Sequence, residues 1–446
     1  MSEIMIKGLG PHDAGSSPLK GEISPPPDKS ISHRAIFFSA LAEGDSVIRN
    51  FLRAADPIST INAFRALGVG IDGIDNIGGE LVVHGKGLGG LREPSNVIDC
   101  GNSGTTMRLL SGVLSGCSFF SVLTGDDSLR QRPMQRVAVP LRQMGAQIFG
   151  RQDGKFAPLA IGGVAPGKKL SGISYKSNVA SAQVKSAILL AGLFADGETS
   201  VIEPVKSRDH TERMLAAMGA NVTVDELKVS IKGAQVLFPQ DIIVPGDFSS
   251  AAFFIAAALM VKNSEVVIKF VGVNPTRTGF LDALRRMGAS VEVHNETEVS
   301  GEPVCDLVCR CTGGLSPIKL DEADIPAIID EFPILVALAS QAHGVTEIHG
   351  AQELRIKESD RISAMVTEMR RMGAEIEEYT DGLSIKGPTQ LTGARVRSYG
   401  DHRIAMALAV AALTARQNTV IEGAECVDIS FPGFFDELNR LRGLSG

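Results

Sequence analysis

The chain has 446 residues, of which 44% are hydrophobic and 21% are charged, and these fractions exclude a disordered or collagen-like protein. The length exceeds the usual reach of one hydrophobic core, so two domains of roughly 200 residues each are expected. The formal net charge of -7 argues against broad binding to nucleic acid or to an anionic membrane, because the average surface would repel both.

The beginning of the chain, MSEIMIKGLG, lacks the charged segment, long apolar stretch and cleavage site of a signal peptide. Apolar runs such as 251–261 fall well short of the roughly 20 residues that cross a bilayer. The six cysteines do not show the paired C-x-x-C spacing of zinc ligands. We therefore expect a cytoplasmic protein that binds neither membrane nor metal and whose cysteines are reduced and buried.

Along the chain, six helices are each predicted to begin at a polar or glycine-rich segment. The segments are Asp28-Lys29-Ser30, Gly101-Asn102-Ser103-Gly104, Ala180-Ser181-Ala182-Gln183, Gly246-Asp247-Phe248-Ser249, Asp330-Glu331-Phe332 and Asp401-His402-Arg403. With one marker residue taken from each, the set is Lys29, Asn102, Ser181, Ser249, Glu331 and His402. Successive markers are 73, 79, 68, 82 and 71 residues apart, which indicates six copies of one unit.

A second pattern, apolar-x-x-(Leu/Met)-Gly-(Ala/Val), recurs with the same period. Its glycines are Gly68, Gly145, Gly219, Gly288, Gly373 and, in a degraded copy, Gly443. They are 77, 74, 69, 85 and 70 residues apart. Each glycine fits a helix C-terminus that needs a positive φ, and the alternating run after it fits a half-buried strand. Each unit is therefore predicted to end in a helix, a turn and a strand.

Three units in each half predict an α/β (α+β) fold of two similar domains with pseudo-threefold repetition. The helices should be buried inside a shell of sheets, because the Ala-rich segments 251–261 and 405–415 have no polar face. The proline run 25–27 and Pro245 predict two crossings between the halves. The predicted domains are 25–244 and 1–24 plus 245–446. Alternatively, the proline run is only a surface loop.

The polar helix starts are expected to converge on a cleft between the domains, where unsatisfied N–H groups and partial positive charge favour anions. Cationic residues lie in or near these starts. They are Lys29, Arg34, Arg132, Arg208, Lys357, Arg361 and Arg403. Any one of them could be a solvated surface charge or part of a salt bridge at a helix end. Seven in matching places instead predict binding of carboxylate or phosphate groups.

Several other residues are candidates for chemistry. The segment 101–106 could bind a phosphate with backbone donors, but it lacks the nucleotide-binding loop pattern and a tight turn explains it equally well. Asp330 and Glu358 suit general acid/base catalysis if they are desolvated. Glu358 could instead be a salt-bridge partner of Arg361 or Arg355. Three histidines beside charged residues are expected to have positioning or structural roles, namely His33, His210 and His402.

Eight segments together resemble the 5-enolpyruvylshikimate-3-phosphate synthase family in sequence and in order. They are PDKSISHRA, DCGNSGTTMRLLSG, LTGDDSLRQRPM, ASAQVKSA, SRDHTE, IDEFPI, ELRIKESDRI and SYGDHRIAMA. The resemblance extends from about Leu19 to about Leu441. It implies two domains, each of three βαβαββ-type units with buried helices in an inside-out barrel-like arrangement.

The resemblance also implies an activity, which is transfer of the enolpyruvyl group of phosphoenolpyruvate to the 5-hydroxyl of shikimate 3-phosphate, with release of phosphate. This reaction belongs to the shikimate pathway of aromatic amino-acid biosynthesis and is the target of glyphosate. The resemblance implies no metal or organic cofactor, and it implies a monomer that closes its two domains on its substrates.

The resemblance assigns roles to residues of both halves. Shikimate 3-phosphate should contact Lys29, Ser30, Arg34, Ser181, Ala182, Gln183 and Arg208. Phosphoenolpyruvate should contact Lys29, Asn102, Gly104, Arg132, Arg361 and Arg403. Asp330 is expected to deprotonate the 5-hydroxyl, while Glu358 and Lys357 are expected to protonate C3 of phosphoenolpyruvate. Lys29 is a further catalytic candidate, and Asp330 and Lys357 are also expected to contact the substrates.

Many relatives carry a lysine before Thr-Phe-Pro near the C-terminus, but this chain has Asp428 to Pro432 there, so Lys185 or Arg208 is expected to compensate. Two alternative functions remain open. One is enolpyruvyl transfer to UDP-N-acetylglucosamine, which uses a reactive cysteine in a mobile loop, although the corresponding segment here, 115–118, is apolar and directly follows a predicted helix. The other is a non-catalytic phosphometabolite-binding protein, which would be expected to lack Asp330 or Glu358.

Overall fold

A computed structural model describes residues 2–8, 18–76, 78–165 and 167–444. Residues 1 and 9–17 of the segment predicted to join the second domain lie outside the described residues. In chain order, the strands are β1 (Glu3–Ile6), β2 (Lys20–Ile23), β3 (Glu43–Arg49), β4 (Gly70–Asp72), β5 (Leu81–Lys86), β6 (Ile98–Asp99), β7 (Ser121–Thr124), β8 (Gln147–Gly150), β9 (Phe156–Gly162), β10 (Leu170–Ser171), β11 (Ser174–Lys176), β12 (Ala195–Asp196), β13 (Glu198–Ile202), β14 (Val222–Asp225), β15 (Lys228–Lys232), β16 (Ile242–Ile243), β17 (Glu265–Gly272), β18 (Ser290–Val299), β19 (Glu302–Arg310), β20 (Lys319–Leu320), β21 (Gly344–Ile348), β22 (Glu375–Tyr379), β23 (Gly382–Gly387), β24 (Arg395–Arg397) and β25 (Thr419–Glu422).

Helices alternate with these strands. In chain order they are α1 (Lys29–Leu41), α2 (Ala55–Ala66), α3 (Gly104–Ser115), α4 (Gln135–Gln143), the short turn α5 (Arg151–Gly154), α6 (Ala182–Gly192), α7 (His210–Ala217), α8 (Phe248–Met260), α9 (Gly279–Arg286), α10 (Ile325–Ile328), α11 (Phe332–Ala339), α12 (Arg361–Arg371), α13 (His402–Ala412) and α14 (Phe434–Leu441). Three 3₁₀ helices span Leu129–Gln131, Gln352–Ile356 and Ala424–Ile429. Within the described ranges, no helix is long and apolar enough to span a membrane.

The chain divides into two compact units. The 27–244 unit contains Pro27–Val244 and Glu298–Glu302, and the 245–446 unit contains Met1–Pro26, Pro245–Thr297 and Pro303–Gly446, apart from residues outside the described ranges. Each unit has its own hydrophobic core. The domain limits inferred from the sequence stay a prediction.

Three four-stranded sheets of the 27–244 unit share one topology. Their strand orders are β16-β3-β5-β4, β6-β7-β9-β8 and β11-β13-β15-β14. In each sheet the first strand is parallel to the second, and the remaining pairs are antiparallel. In two of these sheets one helix lies between the first two strands, because parallel neighbours need a crossover connection.

The 245–446 unit repeats this topology. Its sheets have the orders β2-β17-β19-β18, β20-β21-β23-β22 and β24-β25-β1. In the third sheet β24 is parallel to β25 and β1 is antiparallel to it, so β1 takes the place of the returning strand. The six sheets therefore match the sixfold repeat predicted from the sequence.

The two short strands that precede α1 and α8 each pair within their own unit, whereas the helix that follows each of them belongs to the other unit. β2 directly precedes α1 and β3 in the chain but pairs with β17. β16 directly precedes α8 and β17 but pairs with β3. The chain passes from one unit to the other at Pro26–Pro27 and at Val244–Pro245, and Glu298–Glu302 also belongs to the 27–244 unit. Prolines interrupt regular pairing at the first two points.

Six helices form the interiors of the two units, and these are the helices with predicted polar starts. All residues of α11 and α13 are buried, and so are all residues of α8 except its last. The helices α8, α11 and α13 contact one another, and α3 contacts both α1 and α6. This confirms the prediction of helices inside a shell of sheets. The six repeat glycines all have positive φ, from 68° at Gly443 to 101° at Gly145, as the helix-end pattern predicts.

Candidate active site

The start of α1 holds two of the predicted cations. Asp28 caps the helix by accepting from the backbone N of Ile31 at 2.8 Å, and Nζ of Lys29 lies 3.3 Å from Oδ2 of Asp56. Arg34 is buried and donates from Nε to Thr211 and from Nη2 to Ser186, at 2.7 and 2.9 Å. Its Nη1 donates to the carbonyl of Ser30, the neighbouring predicted site residue, at 3.0 Å.

The start of α3 brings three predicted residues together. Ser103 caps the helix, and Asn102 accepts at Oδ1 from Nη2 of Arg132 at 2.6 Å while its Nδ2 donates to Asp126 at 2.7 Å. A Cβ built on Gly104 would lie 2.9 Å from Nη1 of Arg108 and 3.6 Å from Nη1 of Arg132. Gly104 therefore allows two guanidinium groups to lie against the backbone of the first helical turn.

The start of α6 is tied to the start of α3. Ser181 is its N-cap and Ala182 its first residue. Gln183 donates from Nε2 to Oγ1 of Thr105 at 2.9 Å and accepts from Nη1 of Arg108. Within the 27–244 unit, Thr105 and Arg108 of α3 thus hold Gln183 of α6, and the sequence did not predict either contact.

Two basic side chains complete this part of the site. Arg208 is half-buried, in the loop before α7. Burial lowers the pKa of Arg34 to about 10, an effect that Glu212 and Asp28 oppose and that Arg208 adds to. Arg34 therefore remains a cation at neutral pH, despite its burial and the nearby positive charge of Arg208.

In the 245–446 unit, Arg361 is the centre of the charged cluster. It is 1% exposed and donates from Nε to Asp401 at 2.8 Å, from Nη1 to Asp330 at 3.3 Å and from Nη2 to Glu358 at 2.7 Å. A longer bond of 3.5 Å joins Nη2 to the second oxygen of Asp401. Glu358 therefore forms an ion pair with Arg361, one of the two partners considered from the sequence. Arg355, the other, pairs with Asp360 and Glu378.

Arg403 joins the starts of α11 and α13. Its Nη1 donates to the carbonyl of Asp330 at 3.2 Å, and its Nε lies 3.5 Å from the Asp330 carboxylate. The backbone N of Arg403 donates to Asp401, which caps α13. The start of α8 is connected to the same region because Ser249 donates to Glu331, the N-cap residue of α11. The three inner helices of this unit thus begin close together.

The pKa values in this cluster follow from burial and charge. Burial alone would lower the pKa of Arg361, but Asp401, Glu358 and Asp330 outweigh it and raise that pKa. The pKa of Asp401 is lowered, because Arg361 outweighs the opposing effect of burial. Burial lowers the pKa of Lys357, with Asp330 opposing the shift. A lysine with a lowered pKa gives up its proton more readily than an exposed one.

Lys185 does not suit the compensating role suggested by the sequence. Its ammonium is 1% exposed and lies 2.8 Å from Glu203 and 2.7 Å from Glu212. Two buried carboxylates already neutralise it, so a substrate anion would have to compete with both. Arg208 remains the candidate for that role.

Three residues hold predicted site residues in place, and the sequence did not predict these contacts. Asp56 pairs with Lys29, Asp401 holds Arg361, and Arg108 bonds to Gln183. Arg108 carried a signal, since it lies four residues after Gly104 and therefore on the same helix face. Nothing in the spacing of Lys29 and Asp56 indicated their contact, which depends on how α1 packs against α2.

The three histidines are buried, consistent with structural or positioning roles. His33, His210 and His402 are 0%, 1% and 2% exposed. Nδ1 of His210 lies 2.7 Å from Oε1 of Glu302. In the described part of the chain, no group of three or more His, Cys, Asp or Glu residues could hold a metal ion.

Cys117 lies in the segment that corresponds to the reactive-cysteine loop of the alternative transferase. Its thiol is buried and donates to the carbonyl of Val113 at 3.5 Å. Burial raises the pKa of this thiol to about 12. It is therefore protonated at neutral pH and a poor nucleophile, which does not support the UDP-N-acetylglucosamine alternative.

The fold is shared with an enolpyruvyl transferase. The structure of NikO from Streptomyces tendae matches 98% of this chain and 96% of its own with a TM-score of 0.76, at 17% identity, which shows a common architecture alone. The EPSP synthase from Acinetobacter baumannii matches 98% of both chains with a TM-score of 0.87 and 45% identity. Fold and site together define a two-unit α/β transferase with charged clusters suited to anionic substrates.

Sequence comparison identifies the family. The 3-phosphoshikimate 1-carboxyvinyltransferase of Thermodesulfovibrio yellowstonii is 55% identical over 425 residues, 95% of this chain and 97% of the relative. That of Bacillus subtilis is 50% identical over 424 residues, with the same shares of the two chains. The model of the EPSP synthase (3-phosphoshikimate 1-carboxyvinyltransferase) family matches residues 14–438, and this chain belongs to that family.

Proposed function

We propose that the chain transfers the enolpyruvyl group of phosphoenolpyruvate to the 5-hydroxyl of shikimate 3-phosphate and releases phosphate. The observation that carries the proposal is the cluster around Arg361, where Asp330 and Glu358 lie on the same guanidinium beside Lys357. Two carboxylates and a lysine with a lowered pKa supply the proton transfers that the reaction needs. Membership of the family supplies the substrates.

Residues of the 27–244 unit are proposed to bind shikimate 3-phosphate. They are Lys29, Ser30, Arg34, Ser181, Ala182, Gln183 and Arg208. The starts of α1 and α6 add backbone N–H groups and partial positive charge, which favour a phosphate group. Because Arg34 already donates to Thr211, Ser186 and Ser30, it is held rigidly and acts with its remaining N–H groups or through its charge.

Six residues are proposed to contact phosphoenolpyruvate. They are Lys29, Asn102, Gly104, Arg132, Arg361 and Arg403. Arg132 and Arg403 are 8% and 7% exposed, so they offer partly desolvated charges that interact with an anion more strongly than surface arginines do. Among the residues described, Arg361 donates four hydrogen bonds to carboxylates. One of its five N–H groups therefore remains for a ligand.

The reaction is proposed to begin with addition. Asp330 takes the proton of the 5-hydroxyl as its oxygen forms a bond to C2 of phosphoenolpyruvate. Glu358 or Lys357 gives a proton to C3, which becomes a methyl group in a tetrahedral intermediate. Arg361 and Arg403 hold the Asp330 carboxylate and stabilise negative charge beside it.

Elimination completes the transfer. A proton leaves C3 to the carboxylate of Glu358, the double bond between C2 and C3 forms again, and phosphate departs with the oxygen that joined it to C2. The fixed charges of Lys29 and Arg132 stabilise the departing phosphate. The product keeps the oxygen of the former 5-hydroxyl in its new ether bond.

Phosphate release measures this function. Purified protein is incubated with both substrates and with each alone, and phosphate and product mass are followed. We expect phosphate and a product equal in mass to the two substrates less phosphoric acid only when both are present. Phosphate release from phosphoenolpyruvate alone at the same rate would contradict the proposal.

We further propose that the active form is a monomer, because one chain supplies every residue assigned to the two substrates. We also propose that it is located in the cytoplasm. Light scattering at assay concentrations should give a mass near the 47.1 kDa of the chain. A dimer mass that persists on dilution to those concentrations would contradict the monomer. Fractionation of the source cells should recover the protein with other cytoplasmic enzymes, and recovery with membranes would contradict that location.

A further inference from the structure

A chain of buried hydroxyl groups connects α1 to the start of α3. Nδ1 of His33 lies 2.7 Å from Oγ1 of Thr60, and Oγ1 of Thr60 lies 2.7 Å from Oγ1 of Thr106. The hydroxyl of Thr106 donates to Oγ of Ser103 at 2.8 Å, and its backbone N donates to the same oxygen at 3.1 Å. All four side chains are 0% exposed.

The number of available protons fixes the direction of these bonds. Each hydroxyl has one hydrogen to donate. Because Thr106 donates to Ser103, Thr60 must be the donor to Thr106. His33 must then donate to Thr60, so its proton lies on Nδ1 and its Nε2 carries a lone pair.

The surroundings of His33 agree with a neutral ring. Burial lowers its pKa well below 6.5, and the charges of Lys29 and Arg34 lower it further. Its Nε2 is buried and makes no hydrogen bond to any residue that the structure describes. A neutral ring with the proton on Nδ1 is therefore the form in which this network is satisfied.

We propose that His33, Thr60 and Thr106 act as positioning residues that hold the Ser103 cap, and with it the Asn102–Gly104 turn, in the geometry that binds phosphoenolpyruvate. This inference rests on the proposed function. Ser103 lies between Asn102 and Gly104, both assigned to that substrate, and it caps α3. A shift of the cap would move backbone donors and Asn102, which is bonded to Arg132.

The other substrate should be affected less. Arg34 fixes α1 independently through its bonds to Thr211, Ser186 and the carbonyl of Ser30. The network therefore acts mainly on the start of α3, which makes a difference between the two KM values a specific readout of positioning rather than of general loss of structure.

The kinetic test uses Thr60→Val, which keeps the shape of the side chain but removes its hydroxyl. Two buried polar groups lose their partner, so we expect KM for phosphoenolpyruvate to rise about fivefold or more. KM for shikimate 3-phosphate should change less than about twofold, because Arg34 fixes α1 through bonds that the variant leaves in place. Thr60→Ser restores the hydroxyl and should restore KM. Ser111→Ala removes another buried hydroxyl of α3, one that bonds only within the helix, and should leave both KM values unchanged.

A second measurement is made on the wild-type protein, and a variant serves only to assign its signals. Nitrogen NMR of protein with labelled histidine, with the His33 signals assigned by their absence in His33→Gln, should show a protonated Nδ1 and an unprotonated Nε2 at pH 7. A proton on Nε2, or a doubly protonated ring, would overturn the inference. So would equal increases of both KM values in Thr60→Val. Either result leaves the transfer reaction itself intact, since that is measured on the wild-type enzyme.

Discussion

The carboxylate of Glu358 is 25% exposed and bonds to Arg361, a geometry that serves both a structural ion pair and a proton carrier. Replacement by Gln keeps the shape but cannot carry a proton. We expect Glu358→Gln to lower kcat by a factor on the order of 10² to 10⁴, the usual contribution of general acid/base catalysis, with KM values little changed. Steady-state kinetics of phosphate release measure both.

Solvent exchange distinguishes the two roles further. In D₂O the wild type should place deuterium at C3 of the enolpyruvyl group, because C3 gains and then loses a proton, and Glu358→Gln should lose most of that exchange. Glu375→Gln is a suitable control, since its exposed carboxylate pairs with Lys386 and has no assigned role in the reaction. A fall in kcat smaller than about tenfold would favour a purely structural ion pair.

Gly104 lies against the guanidinium groups of Arg108 and Arg132. A methyl group there narrows the space next to the residues assigned to phosphoenolpyruvate, and glyphosate has the longer chain between its two acidic groups. Overpacking costs about 1–3 kcal/mol, or roughly 5- to 150-fold in affinity. Gly104→Ala should therefore weaken glyphosate inhibition more than it raises KM for phosphoenolpyruvate.

The ratio of the inhibition constant to KM, taken at one concentration of shikimate 3-phosphate, measures this effect. Arg108 presents the far end of a flexible side chain and can move, so phosphoenolpyruvate should still bind. An unchanged ratio would show that Gly104 is only a turn residue.

At the scale of elements, a buried ion cluster fixes α6 to α7 and to the loop before α7. Lys185 of α6 contacts Glu203 and Glu212, and Glu203 also accepts from the hydroxyl of Ser207. Lys185→Met would leave two buried carboxylates without a cation. We expect a loss of about 3–5 kcal/mol in the free energy of unfolding, measured by urea denaturation.

Lys386→Met is the matched control, because its ion pair with Glu375 is exposed and exposed pairs contribute little. If Lys185→Met were as stable as the wild type, the carboxylates of Glu203 and Glu212 would be stabilised by other groups. If Lys386→Met lowered the free energy of unfolding as much as Lys185→Met does, burial would not explain the contribution of the Lys185 ion pairs.

The helix limits were the most predictable part of the fold. Asp28, Ser181 and Asp401 are caps at predicted helix starts, because a short side-chain oxygen next to a free backbone N–H carries a local signal. Glycines at helix ends are equally local, since they alone adopt positive φ without strain. Such features depend on a few neighbouring residues and can be identified in a single sequence.

The contacts of the site were less predictable. The sequence indicated Arg361 and Glu358 as near neighbours but not that Arg361 would also bind Asp330 and Asp401, because those contacts depend on how α11, α12 and α13 pack. Lys185 seemed available as a cation, although burial with two carboxylates commits it. Such pairings between distant segments leave no pattern in spacing.

At the scale of the molecule, the sixfold repeat allowed the architecture to be predicted. Among the described residues, five sheets share one order of four strands, a sixth has three strands with β1 in third place, and β10 and β12 form a separate pair. The period of helix starts and ends predicted the number of units. It did not predict the partners of β2 and β16, which pair with β17 and β3 rather than with the next strand in the chain. Only the two proline-rich crossings suggested this arrangement.

In the proposed reaction, phosphate leaves with the oxygen that joins it to C2 of phosphoenolpyruvate, while the 5-oxygen of shikimate 3-phosphate replaces it. Phosphoenolpyruvate labelled with oxygen-18 at that bridging position tests it directly in the presence of shikimate 3-phosphate. We predict that mass spectrometry will find the label in the released phosphate and none in the enolpyruvyl product. Unlabelled phosphate, with the label in pyruvate, would mean hydrolysis at phosphorus and would contradict the account.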